Sequence, residues 1–424
     1  MASTPSAAEP AHAPSPLLPL DDALERVLAQ VAAPLAAEEI AATAADGRVL
    51  AEDVISALQI PPDDNSAMDG YAVRSTDCAH AGAELPVTQR IPAGSVGQPL
   101  AAGSAARIFT GAPIPPGADA VVMQEQTEAL ADGARVRIQV PPRAGQSIRK
   151  AGEDVERGAT VLHRGARLTP ASIGLAASVG LACLHVARRP RVALLQTGDE
   201  LVLPGTVAPA AMKPGTIYNS SRFFLQTLLE RLGCTVTDLG IIPDDRQATI
   251  AALRQAAEGH DLILSSGGVS VGEEDHVKPA VAQLGHLDLW KIAIKPGKPF
   301  AYGHLRRASG DLAHFIGLPG NPVSSFVTFL LLVRPFLLKL QGATDVALRS
   351  LPARADFSLP KPGKRREFLR VRHNGKGGLD LFPNQSSGVL TSMHWADGLV
   401  DHPADATIAA GDTVRFIPFG GVFS

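Results

Sequence analysis

Cysteine is scarce in this chain of 424 residues: there are three, Cys78, Cys183 and Cys234, far apart and in no C-x-x-C spacing. That pattern excludes a disulfide framework and a thiolate zinc site, and it points to a reducing compartment. Aromatic residues make up only 4%, too few for base-stacking platforms. Positive charge is not in excess either; the formal net charge is -3, which removes the electrostatic case for nucleic-acid binding. The longest apolar stretch, Phe326 to Leu340, carries Arg334, Pro335 and Lys339, whereas a bilayer span needs about 20 apolar residues. Residues 1–18 are rich in Ala, Pro and Ser, with no basic start and no apolar h-region. They are expected to form a disordered tail, not a signal peptide. The chain is therefore expected in the cytoplasm, with no nucleic-acid or membrane partner.

Hydrophobic residues make up 45% and charged residues 19%, as in a packed globular protein, and the length calls for more than one domain. Leu20 opens a helical pattern that runs to Val31, with Asp21 and Asp22 suited to the positive helix end. From Ile60 to about Val140, short apolar runs cut by Pro and Gly predict a β-rich segment. Thr169 to Gly180 reads as a helix with a Thr cap and Pro at its start. Strands and helices then alternate: Val192–Leu195, Ser220–Leu232, Thr235–Leu239, Arg246–Ala257, Asp261–Leu264. That order predicts a mostly parallel sheet with helices on both faces, closed by a helix from Pro322 to Leu340. Ligands in such sheets sit beyond the carboxyl ends of the strands. From about Leu351 onward a small β-domain is expected.

Each strand of the central unit ends in a polar or glycine-rich loop. Gln196-Thr197-Gly198-Asp199-Glu200 places two carboxylates after a buried strand; it fits a helix cap and turn equally well. Ser265 to His276 contains Gly267, Gly268 and Gly272, whose flexibility lets backbone N–H groups turn toward an anion. This loop matches neither a dinucleotide fingerprint nor a P-loop. The acids after it suit a divalent cation bridging phosphates. Lys291 and Lys295-Pro296-Gly297-Lys298-Pro299, in a chain without basic excess, read as a cationic pocket for an oxyanion. Gly317 to Pro322 is a rigid turn into a helix, and its residues also fit a purely architectural role. In the β-rich segment, Asp63 to Tyr71 groups acids, an amide and a hydroxyl, as a metal or polar-substrate loop would; a polar turn is the alternative. Arg149 to Asp154 fits a structural ion pair or a site.

Together these segments resemble the molybdopterin molybdenumtransferase family, which includes bacterial MoeA and the E domain of gephyrin. The resemblance rests on Asp64 to Tyr71, Thr110-Gly111-Ala112, Gly152-Glu153-Asp154, Thr197 to Glu200, Ser265 to Gly272, Ile294 to Pro299 and Gly317 to Pro322, in the family's order. It implies a multidomain α/β plus β fold with a central doubly wound, mostly parallel molybdopterin-binding domain (190–342). A linker domain would be built from residues 19–60 and 151–189, with a β-rich domain inserted at 61–150. A small β-barrel-like domain would follow at 350–424, and the whole would form an elongated homodimer. The active cleft would then lie between the α/β domain of one subunit and the inserted domain of the other. By the same resemblance, Asp64, Thr110, Asp154, Glu200, Asp245, Asp275, Lys291 and Lys295 are the catalytic candidates. Substrate and anion contacts fall to Thr197, Gly198, Ser266, Gly267, Gly268, Ser270, Gly272, Lys298, Pro299, Pro319, Asn321, Arg370 and Ser392. Asp64, Asp245 and Asp275 are the expected Mg²⁺ ligands. Ser221 stands where the family usually carries Asn, and His276 follows Asp275 where another residue is common.

The activity so implied is a transferase reaction: molybdate is inserted into adenylylated molybdopterin, with Mg²⁺-dependent release of AMP. A molybdopterin adenylyltransferase and molybdoenzymes would be transient partners. The substrate's dithiolate supplies the sulfur ligands, consistent with the scattered cysteines. Two rival readings are a binding scaffold without turnover and an unrelated nucleotide-dependent enzyme. The second leaves the Asp64 segment, in a separate domain, without a role.

Overall fold

The computed structural model describes residues 17–268 and 276–423. Helix α1 (Leu20–Ala29) carries Asp21 and Asp22 in its first turn and buries Leu20, Ala23 and Val27. It stops short of Val31. Strand β1 (Ala37–Ala41) opens a unit whose other half comes much later in the chain.

Between the halves lies a six-stranded lobe, formed by β2 (Gly70–Val73), β3 (Ala83–Ile91), β4 (Ala105–Ile108), β5 (Ala120–Met123), β6 (Thr127–Leu130) and β7 (Arg135–Ile138). Their spatial order is β5-β2-β4-β3-β7-β6. Alternation along β2 sends Tyr71 and Val73 into one apolar cluster and Ala72 into another, as the pleat requires. Gly70 is fixed by contact: a Cβ there would sit 2.0 Å from the Val122 carbonyl oxygen of the paired β5.

The linker unit resumes with α2 (Pro170–Ser178). Thr169 and Ser172 exchange side-chain and backbone hydrogen bonds in a capping box, with Pro170 in the first turn. Strand β8 (Cys183–Ala187) pairs antiparallel with β1, and a shared core of Leu50, Val54, Val155, Leu168, Ala176 and Val186 unites the two segments.

The central domain contains β9 (Arg191–Thr197), α3 (Ser220–Arg231), β10 (Thr235–Ile242), α4 (Arg246–Gly259), β11 (Leu262–Ser266) and α5 (Val277–Leu284). It continues through β12 (Gly285–Lys291), β13 (Ile294–Lys295), β14 (Pro299–Arg306) and β15 (Leu312–Leu318). The sheet runs β10-β9-β11-β15-β14-β12; the first four strands are mutually parallel, β14 runs antiparallel to both its neighbours, and β12 thus shares the direction of the first four. Val192 and Leu194 of β9 face a core shared with α1, α3 and the final helices, while Ala193 and Leu195 face α4 and α5. Burial on both faces explains the unbroken apolar run in β9.

The segment Pro322–Leu340, read from sequence as one closing helix, is in fact three pieces. Helix α6 (Pro322–Thr328) passes through a π-helical turn at Phe329–Val333 into α7 (Arg334–Leu340). Pro335, in the first turn of α7, has no N–H to donate, and its ring would clash with the carbonyl of Leu331 in a continuous α-helix. Of the most apolar window in this segment, 89% is buried inside the protein, so it is core. A final sheet, β16 (Leu351–Arg354), β17 (Arg366–His373), β18 (Leu379–Leu381), β19 (Gly398–His402) and β20 (Thr413–Pro418), carries α8 (Thr391–Trp395). Strand β13 joins β17 in parallel, stitching the central domain to this last one.

Candidate active site

Because β9, β10, β11 and β15 run in parallel, the segments that follow them all emerge at one rim of the sheet. Strand β14 runs the other way, with Ala301 opposite Gly317, so its starting residue Pro299 lies at that same rim. Lys291 pairs with Pro299 and brings the lysine loop there too. The four loops set out from the sequence therefore reach one rim, as far as their described residues show.

The glycines are set by contact at this rim. A Cβ on Gly267 would lie 2.9 Å from the Thr197 carbonyl oxygen, and one on Gly268 would lie 2.9 Å from Thr197 Oγ1. Both glycines have positive φ, 94° and 66°, a region that L side chains disfavour. The Gly267 N–H donates to the Leu318 carbonyl (3.1 Å), and Gly320 packs over Gly267. Beneath them, Ser266 Oγ and Ser325 Oγ lie 3.1 Å apart, and Ser325 donates to the Pro319 carbonyl at 2.8 Å. Asn321 is exposed at the N-cap position of α6, and its side chain makes no capping bond. Gln196 Nε2 and Thr328 Oγ1 are buried without partners. Ser270, Gly272 and Asp275 lie outside the described residues.

The basic half of the rim is held from the C-terminal domain. Lys295 Nζ donates to both carboxylate oxygens of Glu367 at 3.1 Å, a contact set by the Lys295↔Glu367 register of β13 and β17. Arg370, on the same strand, is 1% exposed. It donates to Ser392 Oγ (3.2 Å) and to the carbonyls of Phe368 and Ser386. Burial pushes its guanidinium down to about 10, against the opposing pull of Glu367. The N–H of Val323 at the start of α6 donates to the Ser387 carbonyl (3.0 Å), tying the Arg370–Ser392 pair to the rim. Lys291 and Lys298 are exposed, and the Lys298 carbonyl accepts from Ile292 N–H. One cation of the lysine loop is thus already neutralised, which the sequence alone did not indicate.

Carboxylates gather on the opposite side. Asp244 is held above the usual carboxylate range, first by burial and then by the charge of Asp199, with Glu200 adding to it. The Glu200 carboxylate folds over Gly198, where a Cβ would be 2.5 Å from it. Asp245, one of the expected metal ligands, instead caps α4, accepting from Ala248 N–H at 2.7 Å. The cap preference of Asp before a helix was the signal for this. Asp244, beside it, is the acid that faces the rim, and sequence reasoning passed it over.

A second group forms in the β-rich lobe. Asp64 takes Lys150 Nζ at 2.7 Å and the Ala151 N–H at 2.9 Å, which lowers its pKa. Asp69 accepts both the N–H and the hydroxyl of Thr110, each at 2.8 Å, and is likewise lowered. Asp154 lines a hollow of about 390 Å³ with Pro61, Asn65 and Arg149; the Asn65 Oδ1 is buried, with no hydrogen-bond partner among the described residues. Lys150, Asp69 and Asn65 were not singled out from the sequence, although all lie within segments it marked. Of the expected metal set, Asp64 takes Lys150 and Asp245 caps its helix, while Asp275 lies outside the described residues. Among the described residues, no three His, Cys, Asp or Glu side chains are placed to hold a metal by themselves.

Comparison with known proteins covers most of the chain. Residues 18–180 match the MoeA N-terminal region (domain I and II), residues 193–339 the "Probable molybdopterin binding domain", and residues 352–419 the MoeA C-terminal region (domain IV). A molybdopterin molybdenumtransferase of Haemophilus influenzae is 41% identical over 95% of this chain and 99% of its own length. Molybdopterin molybdenumtransferase 2 of Mycobacterium tuberculosis is 38% identical over 92% and 97%. The crystal structure of a molybdopterin biosynthesis MoeA protein from Pyrococcus horikoshii superposes with a TM-score of 0.75 at 32% identity, covering 95% of this chain and 99% of that one.

Proposed function

Starting from the premise that this chain belongs to the MoeA family and is a molybdopterin molybdenumtransferase of molybdenum cofactor biosynthesis, we propose how its residues divide the reaction. Molybdate binds at the basic half of the rim. Lys295, Lys298, Arg370 and Ser392 hold the dianion through charge-assisted hydrogen bonds, and Pro299 walls the pocket. Glu367 keeps Lys295 aimed before the anion arrives. The observation that carries this reading is the buried Arg370–Ser392 pair beside the Lys295–Glu367 contact, at the edge of a glycine cradle.

The substrate is adenylylated molybdopterin. Its phosphates lie over Thr197, Gly198, Ser266, Gly267 and Gly268, with Pro319 and Asn321 closing the floor and Ser270 and Gly272 continuing the loop. As molybdenum takes the dithiolate, the two thiol protons leave with one oxo group as water, and Glu200 is placed to pass a proton. Water, one molecule of which the insertion itself releases, adds to a phosphorus of the phosphoanhydride as the bridging P–O bond breaks, giving the pterin monophosphate and AMP, whose new charge is met by Lys291 and Lys295.

Mg²⁺ fits the acidic half. Asp244, Asp199 and Glu200 crowd one another, and the Asp199 N–H and the charge of His276 only partly relieve Asp244, a condition a hard cation relieves further. They would share it with the substrate's phosphate oxygens, and the ion would withdraw charge from the breaking bond. The lobe residues Asp64, Thr110 and Asp154 act on the rim of a partner subunit in a homodimer, ordering the substrate's polar end. The protein works in the cytoplasm, receiving substrate from a molybdopterin adenylyltransferase and passing product to molybdoenzymes.

The test is reconstitution. Purified protein, adenylylated molybdopterin, Mg²⁺ and molybdate should release AMP and activate an apo-molybdoenzyme. Tight substrate binding without molybdate-dependent AMP release would replace the enzyme reading with that of a scaffold.

A further inference from the structure

Gln196 closes the apolar run of β9. Alternation along the strand places it on the same face as Val192 and Leu194, toward α3, and it is 1% exposed. Its carboxamide is only half used. Oε1 accepts from Asn219 Nδ2 at 3.3 Å, which sets the orientation of the amide. Nε2 is buried with no hydrogen-bond partner among the described residues. Asn219 is itself fixed as the cap of α3, its Oδ1 accepting from Arg222 N–H at 3.1 Å. A buried donor left unmatched destabilises a fold, so an N–H kept in that condition points to a partner that arrives later.

The position of Gln196 indicates which partner. The chain leaves β9 for β10 on one side and later sets β11 on the other. The gap between β9 and β11 is therefore a switch point, where ligands of such sheets bind. Gln196 stands opposite Ser266 across that gap, one residue below Thr197 and Gly267, which pack together above it. The start of α3 adds the positive end of a helix of 12 residues. Full negative charge is not matched at this depth. Arg222, the first cation of α3, is engaged by Asp238, and a phosphate sunk there without a countercharge would be costly. A neutral acceptor suits the neutral amide.

We propose that Gln196 is a specificity-determining residue for the pterin: Nε2 donates to a carbonyl oxygen or ring nitrogen of the bicyclic ring, while the phosphates stay above on the glycines. This rests on the substrate lying at the rim, as the transferase reading has it. The bond is made alike in the bound substrate and in the transition state, so it lowers KM and leaves kcat alone.

The test is anaerobic calorimetry of the full chain with adenylylated molybdopterin and, separately, with AMP, alongside thermal melting without ligand. Gln196→Met removes the donor at nearly constant size but also strands Asn219 Nδ2. It is therefore made both in the parent and in Asn219→Ser, which keeps a capping oxygen and has no amide. In both backgrounds the Met substitution should weaken adenylylated molybdopterin roughly tenfold and leave AMP affinity unchanged. In Asn219→Ser it should also raise Tm or leave it as it was, since no protein partner is lost. Unchanged pterin affinity in both backgrounds overturns the proposal. A parallel loss of AMP affinity overturns it as well, by assigning the donor to the nucleotide. A lower Tm on adding Gln196→Met to Asn219→Ser does the same, by showing that the folded protein with its bound water already satisfies the amide. Gly267→Ala serves as the control for the rim: if it weakens the pterin substrate and Gln196→Met does not, the assignment of Gln196 fails alone; if neither does, the placement of the substrate fails with it.

Discussion

At the rim of the central sheet Asp244 shares its surroundings with Asp199 and Glu200, and its proton is held more tightly than in water. In the β-rich lobe Asp64 and Asp69 each have donors of their own, Lys150 with Ala151 for one and Thr110 for the other, and both give up their protons more readily. The same residue type is thus prepared in opposite ways. The lobe acids are fixed anions, held by hydrogen bonds from turns distant in the chain, while Asp244 at the rim, only partly relieved by the Asp199 N–H and the charge of His276, gains from a cation or a proton. The cations differ as well. Lys150 and Asp64 are 63% and 41% exposed in their side chains, whereas Glu367, the partner of Lys295, is 10% exposed. Solvent screens the first pair and scarcely screens the acid of the second.

The largest expected effect tests that last contrast. Lys295→Ala should lower molybdate-dependent AMP release by on the order of 10²-fold, and it should also lower Tm, since it strands the Glu367 carboxylate. The double variant Lys295→Ala/Glu367→Gln should recover Tm without recovering turnover. Lys150→Ala should leave Tm almost unchanged, because an exposed pair contributes about 0–1 kcal/mol. Equal thermal losses in the two lysine variants would erase the distinction drawn between the regions. Next in size is Gly267→Ala. The added methyl meets the Thr197 carbonyl at 2.9 Å with φ at 94°, a backbone state costing about 1–3 kcal/mol for such a residue. It should raise KM for the pterin substrate, read by steady-state kinetics, more than it lowers kcat.

Asp244→Asn probes the acidic half. Because the folded-state pKa is raised, the proton's contribution to stability is complete below the unfolded value and is lost as pH rises through the folded one. At neutral pH the ionised group is therefore a net cost, and the Asn variant should melt slightly higher than the parent without Mg²⁺. Added Mg²⁺ should raise the parent's Tm more than the variant's. Identical Mg²⁺ responses would show that the ion, if bound, sits elsewhere.

The difference between the regions also explains what the sequence could and could not reveal. The alternation of strands and helices after Arg191 was legible because β9 and β11 are buried on both faces and the helices end at Gly or begin at caps. The meeting of loops at one rim followed directly from parallel topology. The Lys295–Glu367 contact was not legible, since it depends on the register between β13 and β17, far apart in the chain. Asp245 is a nearer case. Its position immediately before a helix advertises the cap that the structure shows, whereas the metal role came only from the family resemblance; Asp244, next to it, was passed over although it lies by Asp199 and Glu200. The break at Phe329–Val333 was foreshadowed by Pro335, which the apolar run around it obscured. Asp69 lay within a recognised segment, but its partner Thr110 comes from a turn brought near by the pairing of β2 and β4.

The smallest effect expected is also the one that separates fixing from chemistry in the lobe. Asp69 meets Thr110 twice through a single oxygen. An Asn at this position keeps an oxygen acceptor and removes the charge, while an Ala removes the acceptor as well. If Asp69 serves only to place the Thr110 hydroxyl, Asp69→Asn should keep most of the turnover, Asp69→Ala should lose about tenfold, and Thr110→Val should add little to the alanine variant in a double-mutant cycle. If its charge itself acts on the substrate, Asn and Ala will be equally damaging and the Thr110 substitution will be additive. The lowered pKa supplies a further handle. An acid whose folded-state value is depressed contributes above its unfolded value and loses that contribution as pH falls through the folded one. The parent's Thr110 geometry, followed by the amide resonance of Thr110, should therefore persist to more acidic pH than an ordinary exposed carboxylate would allow, and in Asp69→Asn it should show no acid transition at all.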